Sequence, residues 1–127
     1  MQEYVYSFKD RGVIVTGLSL VGVRETVREM NKRGFARTGI SDKAPIINET
    51  EDYIEIQTYA KDELNGGGYW GIKRQNKKFG TGTVNRFCME QALSKAQRNA
   101  LRGLIPEPFV KEMIATYLGE GKGKNVT

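Results

Sequence analysis

The chain has 127 residues, of which 39% are hydrophobic and 28% charged, with a formal net charge of +5, which is the balance of one folded domain with a single core. It contains no His and one Cys, Cys88, which excludes a disulfide framework, a Cys/His zinc site and catalysis built on imidazole, so a binding protein without cofactor is expected rather than an enzyme. No apolar run approaches the roughly 18 residues of a spanning helix, and the start MQEYVYSFKD lacks the basic and apolar regions of a signal peptide, so a cytoplasmic protein with no membrane partner is expected.

Residues 4–8 and 13–16 are two short β-rich runs around the polar turn Lys9-Asp10-Arg11-Gly12. They predict a hairpin, the alternative being a frayed end with one strand. The period then changes. Leu20, Val23, Val27 and Met30 recur at helical spacing, with Ser19 as N-cap and Gly34 as the stop after Lys32-Arg33. On that helix Glu25 and Glu29 lie within reach of Arg28 and Arg33, which favours a solvated, ion-paired face over a nucleic-acid role. Residues 35–45 have no periodicity and read as a loop.

After the acidic corner Glu49-Thr50-Glu51-Asp52, Ile54, Ile56, Thr58 and Ala60 alternate with Tyr53, Glu55, Gln57 and Tyr59, the mark of a strand with one buried face. The corner reads as solvated rather than as a metal site. Three consecutive glycines make residues 61–68 a turn, and residues 69–75 return as a second strand. Its alternation places Trp70 with Ile72 and Arg74, which points to Trp70 as core, and leaves Tyr69 on the other side with Lys73 and Gln75, sharing a face with Tyr53 and Tyr59. The loop at 76–85 contains Gly80-x-Gly82, whose spacing fits no phosphate-binding loop, and a Walker A motif is absent from the sequence.

Residues 86–104 give the strongest helix signal. Met89, Ala92, Leu93, Ala96, Ala100 and Leu104 fall on one arc, while Lys95, Arg98 and Arg102 stack on a different face without acids at i±3 or i±4 to pair with. A further helix follows Pro106 and Pro108, with Phe109, Val110, Met113, Ile114, Tyr117 and Leu118 on its apolar face, and Gly119 ends it. The predicted fold is α+β, an antiparallel β-sheet packed on a long basic helix in the order β-β-α-β-β-α-α. One domain over residues 1–118 and a disordered tail over 119–127 are expected.

Charge organises this chain. Residues 71–105 hold Lys73, Arg74, Lys77, Lys78, Arg86, Lys95, Arg98 and Arg102 against Glu90 alone, while the remainder carries 12 basic and 14 acidic residues. A concentrated basic field calls for a polyanionic partner, and aromatics interleaved with the cations, Tyr69 foremost, suit a single strand of nucleic acid. An exposed basic face without a ligand is the bland alternative.

The succession of a first helix, an antiparallel strand pair whose second strand carries YWGIKRQ, and the basic helix MEQALSKAQRNALRGLI resembles the core of the Rad52/Erf group of single-strand annealing proteins. In that family a β-sheet precedes a long helix with an alanine-rich KA...RALR-like segment, which Lys95-Ala96, Arg98 and Ala100-Leu101-Arg102 match here. The resemblance spans residues 18–105 in the order of elements. It implies a homo-oligomeric ring or filament, single-stranded DNA held in a basic groove with its bases outward, and ATP-independent annealing of complementary strands in DNA recombination and repair. It also implies a phage or mobile-element setting within a bacterial host. Arg98 and Arg102 would meet the DNA backbone from the groove floor and Lys73 and Arg74 from the strand pair, with Lys77, Lys78 and Arg86 at the rim. A small RNA-binding module, and a phage adaptor whose basic helix docks on an acidic partner, are the alternatives from other classes.

Overall fold

A computed structural model describes residues 3–125. Its elements run β1 (Val5–Asp10), β2 (Val13–Leu18), α1 (Leu20–Arg33), β3 (Thr38–Ile40), β4 (Ile46–Glu49), β5 (Tyr53–Asp62), β6 (Gly68–Asn76), α2 (Cys88–Arg102), α3 (Glu107–Gly119) and β7 (Gly123–Asn125). The class is α+β, with antiparallel sheets and three helices.

Along β5 every second side chain, Ile54, Ile56, Thr58, Ala60 and Asp62, is buried, as a strand with one covered face requires. β6 pairs with β5 antiparallel from Tyr53 opposite Asn76 to Lys61 opposite Gly68. The other side of β5 is shared by β3 at one end and β4 at the other, both antiparallel. The covering layer is α2, whose Ala92, Ala96 and Ala100 are fully buried. Small side chains let the helix approach closely, and Gly71 in β6 completes the fit. A Cβ at position 71 would fall inside the carbonyl oxygen of Ala96 and the amide nitrogen of Ala100, so this mid-strand glycine marks a backbone contact.

A second sheet, in the order β2-β1-β7, closes the other end of the molecule. Its hairpin turns at Arg11 and Gly12, both with positive φ (51° and 82°), the geometry of a two-residue hairpin turn. α1 starts and stops where expected. The Ser19 hydroxyl accepts from the Gly22 amide at 3.0 Å, and Gly34, at φ 83°, directs its N–H to the Asn31 carbonyl. Glu25 and Glu29 pair with Arg28 (3.9 Å) and Arg33 (3.0 Å). One core joins Val5, Leu18, Val23, Val27, Met30, Leu101, Val110, Met113 and Tyr117, and a second, between β5 and α2, contains Ile54, Ile56, Cys88, Ala92 and Ala96.

Three expectations are corrected. The expected loop at 35–45 contains β3, because the Asn31 amide exchanges two hydrogen bonds with the Thr38 backbone, both 3.0 Å, and the Asp62 carboxylate accepts from the Arg37 amide at 2.9 Å. The expected disordered tail contains β7, whose backbone pairs in parallel with Val5–Ser7 of β1; Val126 and Thr127 lie outside the described residues. Trp70 is not core. With α2 against Gly71, residues 69, 71, 73 and 75 face the helix, while Trp70 and Ile72 are turned away and remain 40% and 50% exposed. Tyr69 therefore lies opposite Ala60, and it is Trp70 that shares the face of Tyr53 and Tyr59.

Two measurements check this architecture. Gly71→Ala forces α2 off the sheet and is expected to cost about 3 kcal/mol in urea unfolding, the upper end for overpacking, whereas Gly39→Ala, whose Cβ meets nothing within 4 Å, is expected to cost much less. Asp62 accepts from the backbone of Arg37, from the Asn65 amide and from the backbones of Leu64 and Asn65, and these bonds hold its carboxyl below the usual aspartate range. Its stabilisation is therefore present above the unfolded value near 3.9 and lost as pH falls through the lower folded value. Asp62→Asn is expected to be less stable by roughly 1–2 kcal/mol at neutral pH, with the gap to wild type narrowing in acid; a gap that does not change with pH would refute the assignment.

Candidate nucleic-acid interface

β6 is an edge strand among the described residues. The Lys77 amide donates to the Asp52 carbonyl at 2.9 Å and the Asp62 amide donates to the Gly67 carbonyl at 2.8 Å. Hydrogen-bonded pairs alternate in an antiparallel ladder, so Tyr69, Gly71, Lys73 and Gln75 direct their peptide groups to β5. Trp70, Ile72 and Arg74 direct theirs outward. Of these outward groups, the Ile72 carbonyl is satisfied by the Asn99 side chain at 3.0 Å.

The contact at Gly71 brings the flank of α2 alongside this edge. Lys95 reaches Gln75 Oε1 at 3.3 Å, the Arg98 guanidinium donates to Asn99 Oδ1 at 3.2 Å, and Arg102 donates to Glu107 at 2.7 Å. All three cations are half-buried. Beyond them a groove of about 580 Å³ runs between the start of β6 and the end of α2, lined by Tyr69, Trp70, Ile72, Asn99, Arg102 and Glu107. The Tyr69 ring lies against Gly103, where a Cβ would collide with it, and is 48% exposed to the groove.

The predicted site residues therefore divide. Lys73, Lys95, Arg98, Arg102 and Tyr69 gather on the helix side of β6. Arg74 is on the opposite face, bound to Glu55 at 3.1 Å with its guanidinium 4.2 Å from the centre of the Tyr53 ring. Lys77, Lys78 and Arg86 belong to the far end, where the connector is a closed turn rather than a loose one: Phe79 and Thr83 bond through their backbones, as do Lys77 and Asn85. Lys77 is paired with Glu49 across the sheet, and with Arg86 it lines a pocket of about 230 Å³.

Tertiary structure also trims the basic field. Arg74, Lys77 and Arg102 pair with Glu55, Glu49 and Glu107, all from outside the basic segment. Among the described residues, Lys73, Lys78, Arg86, Lys95 and Arg98 make no ion pair. These pairs are exposed and individually weak, so they lower the field without abolishing it.

Sequence reasoning missed Asn99, which bonds one carbonyl of the strand edge, and the cluster of Tyr59 and Trp70 with Lys43 on the open face. The signal for the second was Gly71. A glycine inside a strand marks close backbone approach, and taking it as the helix contact assigns the parity of the whole strand. No family model matches the chain, and no curated protein matches it. Among the described residues no helix is long and apolar enough to cross a membrane.

Proposed function

We propose that this protein binds single-stranded nucleic acid along the helix side of β6 and anneals complementary strands without ATP, as a Rad52/Erf-like recombination protein of a phage or mobile element. The observation that carries the reading is the row Lys95, Arg98, Arg102 beside a strand edge whose outward N–H groups have no partner among the described residues. Phosphates carry the charge those side chains match, and outward N–H groups of an edge strand add donors for phosphate oxygens. The order of a helix, antiparallel strands and a basic helix supports the Rad52-like part, as does the alanine-rich helix that carries the cations.

In this mechanism the protein lowers the repulsion between two strands. Each phosphate met by Lys95, Arg98 or Lys73 releases a condensed counterion, and a strand so neutralised is approached by its complement at lower electrostatic cost. Bases directed away from the groove remain free to pair. Several copies in a ring or filament would extend the groove along a strand, which makes homo-oligomerisation in the cytoplasm part of the proposal.

The deciding experiment is annealing of two complementary fluorescent oligonucleotides without ATP, beside binding to single-stranded DNA, duplex and hairpin RNA. Accelerated annealing with preference for single-stranded DNA is expected. Preference for hairpin RNA would instead make the protein an RNA-binding module, and no binding at all would assign the basic helix to an acidic protein partner. Arg98→Ala is expected to weaken binding alike on all sequences and to flatten the slope of log K against log salt by about 0.7, the contribution of one phosphate contact on a single strand. An unchanged slope would move the binding site away from α2.

A further inference from the structure

Among the described residues no helix covers the face of the central sheet opposite α2, and its side chains are unusual for a solvated surface. Tyr59 and Trp70 sit directly opposite each other on β5 and β6, with ring centres 5.0 Å apart and planes inclined at 48°. Lys43, from the connection between β3 and β4, places its ammonium 4.5 Å from the Tyr59 ring centre and 5.8 Å from that of Trp70. At the other end of β5 Arg74 lies over Tyr53. The two tyrosines are six steps apart along the strand, about 20 Å.

We propose that this open face, centred on Tyr59 and Trp70, is a stacking platform for unpaired nucleobases, continuous with the basic groove around the β6 edge. The inference rests on the nucleic-acid reading and extends it to a second surface. Trp70 supplies the continuity, because it lines the groove and also stands on the open face. At the Tyr59–Trp70 cluster the cation is Lys43, which makes no ion pair among the described residues and can turn from the rings to a phosphate while a base takes the π-face, whereas at Tyr53 the Arg74 charge is held by Glu55. Next to the Tyr59–Trp70 pair Gln57 is flanked by the exposed Ile46 and Ile72, and the Glu55–Arg74 pair then interrupts the apolar row before Tyr53, so the face combines aromatic and aliphatic contact with charge, as a base-stacking surface does. Bases in a duplex have their faces occupied by neighbours. Only an unpaired strand, of DNA or RNA, offers them to Tyr59 and Trp70.

The chain contains a single Trp, so its emission reports the place where groove and open face meet, and Tyr59, which does not line the groove, separates the two surfaces. The protein is titrated with oligothymidine, with oligouridine and with a duplex of equal length, following Trp70 emission and the anisotropy of the labelled strand together. Quenching that saturates with the anisotropy is expected for single strands and not for the duplex. A response to both oligomers assigns the platform to unpaired bases in general, and a response to oligothymidine alone assigns it to DNA. Trp70→Ala and Tyr59→Ala are each expected to weaken single-strand binding by about 5- to 150-fold, the loss of one stacked base, with Trp70→Phe restoring most of it and duplex binding nearly unchanged. Should the alanine variants fail to fold, the wild-type titration and Trp70→Phe still decide. Strands that bind with unquenched Trp70, or alanine variants that fold and bind as wild type, would overturn the platform while leaving the groove intact. Absence of binding to any nucleic acid would remove both.

Discussion

The backbone contact between Gly71 and the helix at Ala96 and Ala100 is the constraint on which the rest of the molecule depends. A side chain at 71, or a bulky one at 96 or 100, would lift α2 from the sheet and open the second core at Ile54, Ile56 and Cys88. The same contact fixes which residues of β6 look toward the helix and which look away. It also brings Lys95, Arg98 and Asn99 level with the strand edge. Packing and presentation of charge are thus one feature, held by the absence of a Cβ.

The long periodic elements were legible in the sequence and the short ones were not. The helices announced themselves through their caps and spacing: Ser19 and Gly34 for α1, the alanine arc for α2, the two prolines before α3. β5 followed from strict alternation. β3 has no such signal, since Thr38–Ile40 is held in place by side chains distant in sequence, Asn31 and Asp62, whose role exists only once α1 and β5 are assembled. β7 likewise depends on β1 for its pairing partner. Propensity carries no information about partners of that kind.

For the candidate site, charge was legible and its distribution in space was not. A run of cations along 71–105 becomes two surfaces, because β6 sends Lys73 to one face and Arg74 to the other, and because Glu49, Glu55 and Glu107 arrive from elsewhere to neutralise three of them. The aromatic residues were misassigned for a related reason. Trp70 was grouped with Ile72 as core by hydrophobicity, whereas burial in a strand follows parity, and parity here is set by a residue with no side chain at all.

An open strand edge admits one occupant at a time. The outward N–H groups of Trp70, Ile72 and Arg74 can donate to phosphate oxygens or to the carbonyls of an added β-strand, and the two arrangements need the same donors in the same plane. Joining copies through β6 and loading a ligand along β6 are consequently competing states of this surface. Any assembly that keeps the groove free must take its subunit contacts from another part of the fold.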